Sequence, residues 1–261
     1  MAPASNCCSS SRSGARLIPQ RRRPAASSRQ LCSLESAKPA SVTMNRPFES
    51  VAELPKELPV FPLAGCLLLP RADLPLNIFE PRYLAMVDAA LASNRLIGMI
   101  QPLPEAAGES HPPLFAIGCV GKITRFAETG DGRYFISLEG VCRFRTGKEH
   151  EQSDGFRTFD VEYDNFAVDL KPPPASDTPD REALLIALRA YAEHHAIEIE
   201  WSSVANASNE NLVNSLAMMS PFGIKEKQAL LEARNLRERA AVLVAVAEME
   251  LAGDRGRAPL H

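Results

Sequence analysis

Glu80 and Arg82 stand two residues apart, with Pro81 between them and Tyr83 behind, inside the stretch LPLNIFEPRYLAMVDAAL from Leu74 to Leu91. A carboxylate and a guanidinium at that spacing can clamp a polar ligand, or they can brace a corner of the fold. The apolar run before them reads as a strand. The pattern after them reads as a helix with Pro81 at its first position, where proline is tolerated. Glu80 then sits at the positive end of the helix dipole, a placement worth about 0.3–1 kcal/mol at an exposed site. The brace is the stronger reading. Arg143, in the strand-like run Gly140–Arg145, is the expected partner of Glu80, because barrel strands far apart in sequence end near one another.

Other reactive side chains do not assemble into a catalytic pattern. His194 and His195 are adjacent, and neighbours on a helix point about 100° apart, so they cannot share a metal without a second element. His111 falls in a loop and His150 at a strand end. Cys7, Cys8, Cys32, Cys66, Cys119 and Cys142 form no C-x-x-C. They read as free thiols in a reducing, cytoplasmic setting rather than a disulfide framework. No G-x-S-x-G nucleophile elbow and no G-x-x-x-x-G-K-[ST] phosphate loop occurs. The expectation is therefore no catalytic residue, no metal and no cofactor.

The elements that would position these residues fall into three zones. Residues 1–50 hold six arginines and no acid before Leu31, with many Ser, Ala and Pro. They read as a disordered tail, lying upstream of a true start at Met44 or acting as a targeting segment. Residues 54–168 carry six or more short strands and one early helix that starts at Pro81, with Leu84, Val87 and Leu91 on one face, Ala90 and Met86 beside it, and Asn94 ending it in the left-handed conformation. Pro59 and Pro62 mark the run Pro59–Leu63 as an edge or first strand. Gly118 and Gly121 suggest bulges, and Thr129–Gly132 a hairpin. Residues 169–178 are a Pro-rich linker. Residues 179–253 repeat apolar positions at helical spacing, with Ser208 as a helix cap. The class is α+β, a nearly closed barrel followed by a helical bundle.

Charge narrows the function. The chain has 29 basic and 32 acidic side chains among 261 residues, a net of −3. In the barrel half, Lys122, Arg125, Arg133, Arg143 and Arg145 interleave with Glu128, Asp131, Glu139 and Glu149. That is not the single-sign stripe phosphate backbones require, so nucleic acid is not the expected partner. No apolar run reaches the 18 residues of a membrane span.

Several stretches, in order, resemble a known family. Leu58–Leu63 (LPVFPL), Ile78–Tyr83 (IFEPRY), Ile97–Ile100, Gly118–Gly121 through Asp131–Tyr134, and Leu138–Gly140 with Arg143–Arg145 look like the Lon amino-terminal, substrate-binding domain. They look most like its stand-alone bacterial form. Asn211–Ala217 and Glu226–Glu232 resemble its helical half. The resemblance runs from about Leu54 to about Leu251. It implies a PUA-like β-pseudobarrel with a C-terminal α-helical bundle. It also implies a non-enzymatic role gripping exposed apolar segments of unfolded or damaged proteins, without the ATPase and protease domains that longer relatives append. Leu68, Leu69, Met99 and Phe115 are the candidate groove residues; Glu80, Arg82 and Arg143 are the candidate brace. An adaptor with one folded partner, a protease for instance, is the rival reading.

Overall fold

A computed structural model of the chain describes residues 46–106, 111–150 and 155–255, with side chains to 252. The expectations for residues 1–45, including the Met44 start and Cys7, Cys8 and Cys32, lie outside the described residues.

Six strands form one sheet: β1 (Glu57–Pro62), β2 (Asp73–Ile78), β3 (Leu96–Ile100), β4 (Ile117–Glu128), β5 (Tyr134–His150) and β6 (Arg157–Glu162). Their order is β2-β5-β4-β3-β1-β6, and β5 also pairs with β6. That last pairing closes five strands into a barrel. The N-terminal half of β5 carries β2, which among the described residues has a neighbour on one side only. Only β1 and β3 run parallel.

The first strand is not an edge. β1 lies between β3 and β6 despite its two prolines. Its two ladders are staggered: β6 pairs with Glu57–Val60 and β3 with Val60–Pro62, overlapping at Val60 alone. Each proline therefore meets a ladder on one side only, which removes the usual cost of a missing N–H.

β4 and β5 are each continuous, and β5 joins two runs that read as separate strands. Their register slips between Val120 and Gly121 and between Ile123 and Arg125. Gly121 is thus at a bulge, as expected, but Gly118 is not. A Cβ at Gly118 would lie 2.5 Å from the Phe144 ring and 2.6 Å from the Met99 carbonyl, so its role is close packing inside the barrel. The hairpin between them closes at Gly130 and Gly132, both with positive φ.

Helix α1 (Pro81–Leu91) does start at Pro81. It buries Tyr83, Met86, Val87 and Ala90, with Leu84 and Leu91 partly buried against the core, so the inward face is the expected one shifted toward its Met86–Ala90 flank. The left-handed residue after it is Arg95, at φ 62°. Asn94 instead accepts a hydrogen bond from the Leu96 amide at 3.0 Å.

Five helices follow: α2 (Arg181–His194), α3 (Trp201–Asn206), α4 (Asn209–Met219), α5 (Ile224–Glu232) and α6 (Leu236–Arg255). Asp180 caps α2 and Ser208 caps α4 through side-chain acceptors. A 3-10 helix, Asp164–Leu170, leads from the sheet toward them. One apolar core runs from the barrel (Leu58, Val60, Phe144) into the helices (Leu212, Leu230, Leu243). The described residues belong to one compact unit. Among the described residues no helix is long and apolar enough to cross a membrane.

Candidate peptide-binding groove

At the corner between β2 and α1 the exposed Phe79 ring adjoins the paired charges of Glu80 and Arg82. Glu80 is the N-cap residue of α1, with extended φ and ψ, yet its side chain caps no amide. Its carboxylate takes hydrogen bonds from Arg82 Nε at 3.0 Å and Nη2 at 2.9 Å. Both side chains are about two-fifths exposed, so the pair contributes little, about 0–1 kcal/mol. The Arg82 guanidinium lies 4.6 Å from the centre of the Tyr83 ring, and Tyr83 packs at 4.2 Å on Phe61. Burial raises the Tyr83 pKa, and the Arg82 charge only partly offsets it.

These residues border a groove of about 290 Å³. Its floor is apolar: Phe61, Leu76, Ile78, Tyr83 and Phe156. Phe79 stands at its lip, 61% exposed, with the Arg133 guanidinium 5.9 Å from its ring. Arg157 holds the far wall. It grips both oxygens of Glu149, at 2.6 and 2.7 Å, and donates to the Pro112 carbonyl at 2.6 Å. The Arg157 hydrogen bonds hold the Glu149 carboxyl below the usual carboxylate range. The groove thus combines an aromatic-aliphatic floor with fixed polar groups at its rim, beside a strand whose second edge has no partner among the described residues. An extended apolar segment could lay side chains on the floor and hydrogen-bond along β2.

Most of the sequence-derived site residues lie elsewhere. Leu68, Leu69 and Met99 are 1%, 0% and 2% exposed and, unlike the equally buried Ile78, do not line the groove, so they pack in the core. The segment Leu67–Leu69 is not a strand; it crosses β5 at Gly140, where a Cβ would lie 2.0 Å from the Leu69 carbonyl oxygen. That crossing drives its leucines inward. Phe115 is half-buried and outside the groove lining, its amide bonded to the Gln101 carbonyl at 3.0 Å.

The expected Glu80–Arg143 pair does not form. Arg143, 3% exposed, binds Asp169 through Nε and Nη2, both at 2.8 Å, and Asp169 also accepts the Arg143 amide at 3.0 Å. Arg143 Nη1 donates to the carbonyls of Leu231 at 3.1 Å and Ala233 at 2.6 Å. Burial opposes its charge, and the Asp169 hydrogen bonds and charge outweigh that, so its pKa stands above the ordinary value. Arg143 is a brace, but it ties the barrel to the end of α5 rather than to the corner. Asp169 went unread because the Pro-rich run after it suggests a linker. The available signal was Arg143 itself: a guanidinium between Cys142 and Phe144 in mid-strand needs a buried carboxylate.

His150 is not isolated either. Its Nε2 lies 2.7 Å from Asp160 Oδ1, and with Glu57 the three present ligand atoms within 4.8 Å of one another on adjoining strands. The His150–Asp160 pair is solvent-facing and accounts for itself without an ion.

The sequence profile of the ATP-dependent protease La (LON) substrate-binding domain matches residues 57–246, which includes the groove floor and the Arg143 junction. The chain belongs to the Lon substrate-binding domain family. A Lon protease of Flavobacterium johnsoniae is 26% identical over 207 residues, covering 76% of this chain and 25% of that protein. Lon protease 2 of Myxococcus xanthus is 26% identical over 197 residues, covering 72% and 23%. The chain thus spans about a quarter of the length of these curated relatives. A Lon N-terminal domain protein from Xanthomonas campestris superposes with a TM-score of 0.52 at 24% identity, over 72% of this chain and 97% of that one. The N-terminal domain of Mycobacterium avium complex Lon protease gives 0.50 at 19%, over 74% and 98%. Both show the shared α+β fold.

Proposed function

We propose that this chain is a non-enzymatic protein-binding module that holds exposed apolar segments of unfolded or damaged proteins in the corner groove. The observation that carries the reading is the apolar lining of Phe61, Leu76, Ile78 and Phe156, two of them on β2 itself, which among the described residues pairs on one side only, with Phe79 exposed at the lip. Membership of a substrate-binding domain family supports it. An extended client would gain main-chain hydrogen bonds from β2 and bury alternate side chains in the groove. Buried, unpaired Cys119 and Cys142 suit a reducing, cytoplasmic setting.

The test is fluorescence anisotropy of a labelled, permanently unfolded protein titrated with this chain, beside the same protein folded. Saturable binding to the unfolded form alone is expected, with weak dependence on salt. Phe79→Ser should weaken it without lowering the melting temperature. No binding to high micromolar concentrations, or binding indifferent to Phe79→Ser, would overturn the assignment. A steep loss with salt would point to a polyanion instead.

A further inference from the structure

A second cavity, of about 490 Å³, lies between the 171–177 segment and the turn joining α5 to α6. Six cationic side chains line it: Arg71, Arg143, Lys171, Arg234, Arg237 and Arg239. Three acids also line it, Asp169, Asp177 and Glu210, and each is already engaged. Asp169 holds Arg143. Asp177 accepts the Leu236 and Arg237 amides at 2.8 and 2.9 Å, capping α6. Glu210 holds Arg71 Nε at 2.6 Å.

Arg239 is left over. It is 5% exposed, and its hydrogen bonds end on neutral acceptors, the Leu230 carbonyl at 3.0 Å and Asn214 Oδ1 at 3.2 Å. A buried guanidinium normally lies against a carboxylate, because an uncompensated charge out of water is costly. Burial, and then the Arg143 charge, push the Arg239 pKa down to about 10. Both arginines also donate to the carbonyls that end α5, which explains why a cation sits there. One cation with Asp169 would serve that purpose; the second feels the Asp169 charge only at a distance, and among the described residues no carboxylate hydrogen-bonds to it.

We propose that this cleft binds a small oxyanion-bearing ligand, phosphoryl or carboxylate, with Arg239 at its base and Lys171 and Arg237 at its mouth. Guanidinium forks match both groups bidentately. The volume suits a metabolite-sized molecule, within the roughly 300–1,000 Å³ of ligand pockets. The site is separate from the corner groove; the two share no lining residue.

The experiment uses the full chain and calorimetric titration with pyrophosphate and, separately, citrate, at constant ionic strength held with NaCl. Saturable one-to-one binding of at least one of them is expected, and the two probes distinguish phosphoryl from carboxylate preference. Lys171 and Arg237 are exposed, so K171A/R237A should keep the parent melting curve and bind about tenfold or more weakly, the loss of one or two charge-assisted contacts. Heats that never saturate for either probe would overturn the proposal. So would a double variant that binds as tightly as the parent, since the anion would then sit elsewhere.

Discussion

Replacing Arg143 with methionine should be the most damaging change of a single charged residue in the fold. The substitution keeps an apolar stem and removes the guanidinium. It leaves Asp169, 7% exposed, as a carboxylate without its cation, and the Leu231 and Ala233 carbonyls without their donor. Removing one partner of a buried ion pair costs about 3–5 kcal/mol. For a unit of this size each kcal/mol moves the melting temperature by about 2–4 °C, so R143M should fall by about 6–20 °C. Urea unfolding followed by circular dichroism reads the same loss as a lower midpoint with an unchanged slope. The double variant R143M/D169L removes the stranded charge and should recover part of the loss. Glu80→Ala is the contrast: its partner Arg82 is exposed, and the change should cost less than about 1 kcal/mol. An R143M loss under about 1 kcal/mol, or a double variant no more stable than the single, would refute the reasoning.

Three further outcomes follow from local geometry. Gly140→Ala places a Cβ 2.0 Å from the Leu69 carbonyl oxygen, a backbone atom that cannot rotate away; the overpacking cost is about 1–3 kcal/mol or more, read by thermal melts. The Glu149 carboxyl is held low by Arg157, so it contributes stability above the ordinary carboxylate pKa that is lost as pH falls through its lowered value. Melting curves from neutral to acid pH should show an acid-labile component that R157M abolishes. Burial raises the Cys119 thiol far above its usual value, and burial with the Asp169 charge pushes Cys142 up to about 12. In native chain at mildly alkaline pH both should resist alkylation until urea unfolds it, as mass spectrometry of the labelled peptides would show.

Much of the architecture was legible because it follows from short-range rules. Pro81 opens α1, Ser208 caps α4 and the Gly130–Gly132 turn closes the β4–β5 hairpin, each through chemistry confined to a few residues. The failures share a cause of the opposite kind. Whether Leu68 and Leu69 face a client or the core depends on where their segment crosses β5, more than seventy residues away in the chain. Pro59 and Pro62 sit inside a sheet because two ladders are staggered by another strand's register. Arg143 chose Asp169 over Glu80 because a 3-10 helix returns that acid to the barrel wall. Pattern gives a residue's needs; only the closed topology says which distant group meets them.

The same topology explains why stiffness and binding can be assigned to different places. Buried charge gathers at the barrel–helix junction, in Arg143, Asp169, Lys227 and Arg239, where Lys227 also donates to the Gly65 carbonyl at 2.8 Å and the Met218 carbonyl at 3.0 Å. Arg143 fixes the 3-10 helix and the end of α5 to the sheet, while Lys227 and Arg239 tie α5 and α6 to a loop and to neighbouring helices, and each bond is costly to break because water is excluded. At the corner the balance is reversed. Glu80 and Arg82 are half in solvent, Phe79 is mostly exposed, and β2 is held on one side only. A groove that must accept varied apolar segments gains from such weakly committed groups, since little is lost when a client displaces water from them. Substitutions should therefore partition: junction variants change the unfolding midpoint with client affinity intact in the folded fraction, and corner variants do the reverse. A Phe79→Ser variant that unfolds early, or an R143M variant that binds poorly while still folded, would show that the two roles are not separated as the contacts indicate.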